Sequence, residues 1–358
     1  MSKLFSPLQL RTVTFPNRVF VSPMCQYSSE NGMPNEWHMV HLGSRAIGGA
    51  GFVCIEASGV TPEGRITPWD AGIWSPQHAQ AWKPIADFIR AHGSVPGIQL
   101  AHAGRKASCS KPWEGGKSLT PQQGAWQTLG PSAVAFGDYA VPRAMTGKDI
   151  ETTIADFVAG ARHALAAGFD VVEVHGAHGY LLHSFCSPLS NVRTDKWGGS
   201  LENRMRFPLE VSRAVRGAWP ADKPVFYRIS ASDWAEGGWD LAQSIELCKQ
   251  LKALGIDLID CSSGGNIATQ KIALGPGYQV PFSDAIRREA GIPTAAVGLI
   301  SEPVQAEEII SLGRADAICL ARALLRDPYW PRHAAKALKV ELELPNQYKR
   351  SDIGPLGR

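Results

Sequence analysis

The chain has 358 residues, 44% hydrophobic and 19% charged, the make-up of a folded globular protein with one large domain or two ordinary ones. Its 36 Lys and Arg against 33 Asp and Glu leave too small an excess to suggest nucleic acid or a membrane surface as partner. With no apolar signal-peptide core, no run near the roughly 18 apolar residues of a membrane span, and seven scattered cysteines without a C-x-x-C pair, the expectation is a cytoplasmic protein lacking disulfides and structural zinc.

Along the chain, short apolar runs ending in polar or small residues alternate with amphipathic segments. The first run, RVFVSPMC (18–25), precedes a faint helix at 36–49, and GFVCIEAS (51–58) precedes a clear one at 78–93. After VPGIQLAH (95–102) comes an aperiodic stretch, 103–146, rich in Gly, Pro and Trp. The helix at 148–168 follows, and Thr146 and Asp149 at its start have the form of a capping box. DVVEVHGAH (170–178) leads to a helix at 201–219, and PVFYRIS (224–230) to one at 241–255. DLIDCSSGG (257–265) leads to a faint helix at 281–291, PTAAVGLI (293–300) to 303–313, and DAICLAR (316–322) to 329–338.

Nearly continuous apolar runs suit strands buried on both faces. Eight β-then-α units predict an α/β fold, a single (β/α)8 TIM barrel spanning 1–358. A doubly wound sheet is the rival, disfavoured because no G-x-G-x-x-G follows the first strand. Residues 103–146 are expected to form an ordered lid loop after the third strand, and 340–358 a C-terminal tail.

In such a barrel chemistry sits at the C-terminal ends of the strands. There the chain places Ser22, Cys25, Glu56, Ser58, Gln99, His102, His175, His178, Arg228, Ser262, Ser263 and Arg322. The stretch EVHGAHGYLLHSF (173–185) adds Tyr180 beside two histidines, with glycines between them. A hydrolytic metal site needs three or more ligands and an open position, which two histidines do not supply. His38 and His41 lack the Glu of H-E-x-x-H and are expected to pack or cap. His163, His183 and His333 carry no functional expectation. Gly298 and Arg322, near the last two strand ends, suit a phosphate site made of backbone N–H groups and a guanidinium.

The motifs SPMCQYS (22–28), GRITPWDAGIWS (64–75), GIQLAHAGRKAS (97–108), HGAHGYLLHSFCSPLSNVRTDKWGGSLENR (175–204), DLIDCSSGG and ADAICLARALLRDPYW (315–330) together resemble the Old Yellow Enzyme family of FMN-dependent ene-reductases. Within it the match is to the thermophilic-like branch that includes the xenobiotic reductases. The resemblance implies FMN as cofactor and NADPH or NADH as reductant. It also implies small activated alkenes, α,β-unsaturated carbonyl and possibly nitro compounds, as substrates.

Residue by residue, it implies that Ser22, Pro23, Met24 and Cys25 line the isoalloxazine, that Ala57, Gln99 and Arg228 contact it, and that Ala321 and Arg322 meet the phosphate. The Arg228 cation would favour the reduced flavin. His175 and His178 would grip the substrate oxygen as an oxyanion hole does, Tyr180 would donate a proton, and Tyr27 would add a contact. Arg350, in QYKR (347–350), would enter the active site of a neighbouring subunit, making the protein a homodimer or a homotetramer built from dimers. No metal is expected. The chain departs from the family pattern at Ala321, where glycine is usual, and at Trp197, where tyrosine is more common. Two other readings stay open: a flavin-binding redox sensor with Cys25 as its thiol, and a metal-dependent hydrolase on the same fold.

Overall fold

The computed structural model describes residues 2–352. Eight parallel strands close into a barrel: β1 (Val19–Val21), β2 (Phe52–Gly59), β3 (Val95–Ala101), β4 (Val171–Gly176), β5 (Val225–Ser230), β6 (Leu258–Ser262), β7 (Thr294–Ala296) and β8 (Ala317–Leu320). Each strand pairs with the next, and β8 pairs back to β1. The outer ring is α1 (Glu36–Ile47), α2 (Pro76–Ala91), α3 (Gly147–Ala166), α4 (Leu201–Ala218), α5 (Leu241–Ala253), α6 (Val280–Glu289), α7 (Pro303–Ser311) and α8 (Trp330–Ala337), one after each strand. The (β/α)8 expectation is met.

The helix starts obey local chemistry. Thr146 and Asp149 form the reciprocal capping box at α3, with backbone-to-side-chain bonds of 2.7 and 3.2 Å. The faint α1 is capped the same way, His38 Nδ1 accepting from Asn35 N at 3.1 Å, so His38 serves as a cap. Two strands are much shorter than the apolar runs that announced them. Beyond Ala296 the chain leaves extended geometry at Gly298 (φ +121°) and Leu299 (φ +52°), which turns the rest of that run into the barrel mouth.

Alternation along the strands stacks the interior in layers. Phe20, Phe52, Val171, Phe226 and Leu258 form an apolar base. Above it register sets Gln99 beside Glu173 and Arg228 beside Asp260. His175, paired with Arg228, reaches the mouth. The base is plugged by an antiparallel hairpin, Leu8–Leu10 with Val13–Phe15, for which the sequence reading has no counterpart: strands of three residues are too short to show a period. Phe15 packs 5.0 Å from Phe20 and 5.6 Å from Phe52, ring centre to ring centre.

Within 103–146, short 3-10 turns and a two-residue pairing of Leu129–Gly130 with Arg143–Ala144 give order without long elements. Asn346–Asp352 forms a further 3-10 turn, in which Tyr348 Oη lies 3.4 Å from Tyr329 Oη. Of the 340–358 tail, residues 353–358 lie outside the described residues. Among the described residues no helix is long and apolar enough to cross a membrane.

Candidate active site

The turn after β4 is built by interlocking glycines. His178 has φ +60° and Gly179 φ +73°. A Cβ on Gly179 would stand 2.3 Å from Gly265 O, and one on Gly265 would stand 2.6 Å from His178 Cα. No side chain fits between these two loops. The crossing is pinned by Lys106, whose Nζ donates to His178 O at 2.8 Å and Gly265 O at 2.7 Å.

From below, Gly179 N donates to His183 Nδ1 at 2.9 Å, and His183 Nε2 lies 3.0 Å from Asp233 Oδ1. Against the push of burial, His183, Ser187 and the Trp239 N–H hold Asp233 down at about 2. His183 therefore props the turn, a role that its neighbours Gly179 and Asp233 reveal and its position in the sequence does not.

This scaffold gathers three rings. His175 lies 5.2 Å from His178 and 5.1 Å from Tyr180, centre to centre. Burial, then the Arg228 cation, lowers both histidines far below their ordinary value, so both are neutral. His178 Nε2 is 2.7 Å from Ser262 Oγ. Burial raises the Tyr180 hydroxyl well above its usual range, so it stays protonated, and the Lys106 ammonium sits 5.2 Å over its ring.

Tyr180 and Cys25 pack on a small apolar cluster of Ile66, Ala103, Ala107 and Cys109, which places the start of the 103–146 segment against the site. Arg105 ties that segment down, donating to Val134 O, Ala135 O and Asn266 Oδ1 at 3.2, 3.1 and 2.8 Å. Tyr27, at φ +51°, meets the Trp113 ring edge-on at 5.7 Å. Burial, then Asp70 and Glu56, pushes the Cys25 thiol up. A sensing cysteine works as its thiolate, and this direction of shift lends the redox-sensor reading no support.

The mouth fits a polar, phosphate-bearing cofactor. Ser22 Oγ, His175 Nδ1 and Arg228 Nε are buried without an aligned hydrogen-bond partner, where buried polar atoms are normally satisfied. A β-bulge in β2 puts Ala57 level with Gln99. A cavity of about 390 Å³ is lined by Ser262, Tyr278, Gly298, Ala321, Arg322 and Arg326. Arg322 is exposed and makes no ion pair among the described residues, which leaves its guanidinium free for phosphate. Ala321 has φ −108° and ψ −90°, outside the left-handed region that would call for glycine. Pro23 and Met24 follow Ser22 into the mouth, Met24 packed on the core.

The exposed Arg350 stands apart from this cluster within its own chain, on the turn by Tyr329. Among the described residues no group of three or more His, Cys, Asp or Glu could hold a metal ion. Trp197 is buried against Phe207. Sequence reasoning passed over Lys106, Glu173, His183, Asp233 and Asp260. The alternation of β4 was the available signal for Glu173, since it shares an inward face with His175.

The sequence pattern of the NADH:flavin oxidoreductase / NADH oxidase family matches residues 3–341. The chain is 48% identical over 351 residues to an NADPH dehydrogenase of Halalkalibacterium halodurans, covering 98% of each. It is 46% identical over 351 residues to that of Bacillus subtilis, covering 97% of this chain and 98% of the other. Among solved structures it is similar to the old yellow enzyme homologue from Zymomonas mobilis, with TM-score 0.79 and 28% identity over 95% of this chain and 94% of that one. It is also similar to morphinone reductase in complex with tetrahydroNAD, with TM-score 0.77 and 27% identity over 96% and 92% of the two chains.

Proposed function

Because the chain belongs to the NADH:flavin oxidoreductase / NADH oxidase family, which includes the Old Yellow Enzymes, we propose that it reduces the activated C=C bond of α,β-unsaturated carbonyl compounds. Nitro compounds present the same kind of oxygen and extend the substrate class. Family membership makes the chain an FMN-dependent oxidoreductase supplied by a nicotinamide. Bound FMN supplies the hydride chemistry. Ser22, Pro23, Met24, Cys25, Ala57, Gln99 and Arg228 would hold its ring, and Gly298, Ala321 and Arg322 its phosphate.

The observation that carries the reading is the packing of buried His175 with half-buried His178 and Tyr180 into one group beside Arg228. Two neutral imidazoles each offer one N–H donor to the oxygen on which negative charge develops. Preorganised donors of that kind are worth roughly 3–4 kcal/mol each in acyl-transfer sites. Tyr180, protonated at neutral pH, can deliver the one proton that the α-carbon needs. Tyr27 and Trp113 would bound the substrate from the lid side, and Arg350 of a second copy would close the pocket of a homodimer.

The test is steady-state NADPH and NADH oxidation by the FMN-loaded protein against cyclic enones, maleimides and nitroalkenes. The expected result is turnover that rises several-fold over the oxygen background and yields the saturated ketone. A yellow protein whose NADPH oxidation no member of that panel accelerates would overturn the reading.

A further inference from the structure

Each of the two long polar side chains assigned to the flavin ring is backed inside the barrel by a carboxylate. Gln99 Nε2 donates to Glu173 Oε1 at 2.8 Å, and Arg228 Nε lies 3.1 Å from Asp260 Oδ2. Register sets Gln99 level with Glu173 and Arg228 level with Asp260, and on β5 Arg228 lies two residues beyond Phe226, the partner of Glu173, so the two pairs occupy successive positions of the barrel interior. Glu173 and Asp260 are 2% and 1% exposed, so water does not solvate them. Neither oxygen of Asp260 has an aligned hydrogen-bond donor.

One guanidinium, in contact with Asp260 and acting on Glu173 at longer range, thus serves two carboxylates inside a closed barrel. Two like charges so buried cannot both ionise without a large desolvation cost. The other titratable groups around them are the thiols of Cys54 on β2 and Cys319 on β8, both pushed well up by burial, and the neutral His175 above. Lys106 and His183 act on His175 from the mouth side. Arg228 is the cation that acts on Glu173.

We propose that the Glu173–Asp260 pair is a proton store for the flavin site: Glu173 takes up one proton from solution when two electrons enter the flavin and releases it when they leave. The inference rests on the FMN reading above. A hydride supplied by the nicotinamide would bring bound FMN two electrons and one proton, and with them one added negative charge that Arg228 would face. A second proton, from water, bonds to the Glu173 carboxylate and restores the charge of the buried group. When the hydride passes to the substrate, that O–H bond breaks and the proton returns to solution. Burial and Asp260 push Glu173 up to about 8, with Arg228 and Gln99 opposing, so the store is already filled in the oxidised protein below that pH and takes up its proton above it.

The experiment is the equilibrium reduction potential of the FMN-loaded full chain, read from flavin absorbance against a reference dye between about pH 6 and pH 10. One proton taken up per electron pair gives a slope of about 30 mV per tenfold change in proton concentration. The expected result is that slope below about pH 8, doubling above it. Glu173→Gln should keep the single-proton slope throughout. Asp260→Asn, which removes the neighbouring negative charge, should move the break to lower pH. A single-proton slope across the whole range in the unmodified protein overturns the proposal, as does a two-proton limb that survives Glu173→Gln. A chain that takes up no FMN shows no flavin spectrum at all, and that result overturns the functional reading beneath it instead.

Discussion

Replacing Tyr180 by Phe removes a hydroxyl that burial keeps protonated while leaving the ring that packs on His175. Alkene reduction should slow by about 10²- to 10⁴-fold, the usual worth of a positioned acid. Flavin reduction by NADPH should change little, because no proton from Tyr180 enters that half-reaction. Stopped-flow traces of the two halves check this, and equal losses in both would remove Tyr180 from the proton's path. Glu173 makes a different prediction, about stability. Its folded pKa, about 8, lies above the ordinary carboxylate value of 4.5. Its contribution is therefore fully present below about pH 4.5 and lost as pH rises through about 8. The stability of the unmodified chain relative to Glu173→Gln should fall across that window, as urea midpoints at several pH values would show. Glu173 was visible in the sequence as the charged residue two before His175, but strand alternation tells only that it points inward. That a second carboxylate shares its cation comes from β4, β5 and β6 lying side by side.

The loops after β4 and β6 act as one element. HGAHGY and SSGGN each look like a flexible glycine turn in the sequence, yet Gly179 and Gly265 leave no room for a methyl group between them. Gly265→Ala meets the His178 backbone and must also hold φ +88°, a strain of about 1–3 kcal/mol. It should displace His178 and lower enone turnover by up to about a hundredfold, with FMN affinity changed far less. Gly217, exposed in α4 with nothing within 4 Å of an added Cβ, is the control: Gly217→Ala should leave turnover unaltered and stabilise by about 0.5–1 kcal/mol. Steady-state kinetics and thermal melts on both variants separate the two cases, and equal turnover in both would show that the crossing does not set the position of His178.

For the whole molecule, the prediction concerns association between copies. Tyr348 and Arg350 sit on a surface turn, Tyr348 40% exposed and touching Tyr329, so one chain alone gives Arg350 no part in the site. Deleting residues 346–358 should therefore weaken association between copies and raise KM for the enone or nicotinamide, while FMN binding persists. Analytical ultracentrifugation alongside kinetics checks both consequences, and a truncated chain of unchanged mass and KM would confine the tail to its own surface. The barrel and the cluster of His175, His178 and Tyr180 were already legible in the sequence, because strand periodicity and short-range motifs are properties of neighbouring residues. Its strand ends also announced Arg228, Gln99 and the phosphate-side Arg322. What only the tertiary structure decided depends on residues far apart in the chain. Phe15 closes the base on Phe52 and Phe226, Lys106 clamps the loops after β4 and β6, His183 finds Asp233, and Glu173 and Asp260 share Arg228. Barrel closure creates those contacts, and no local pattern encodes which distant side chain a buried charge will meet.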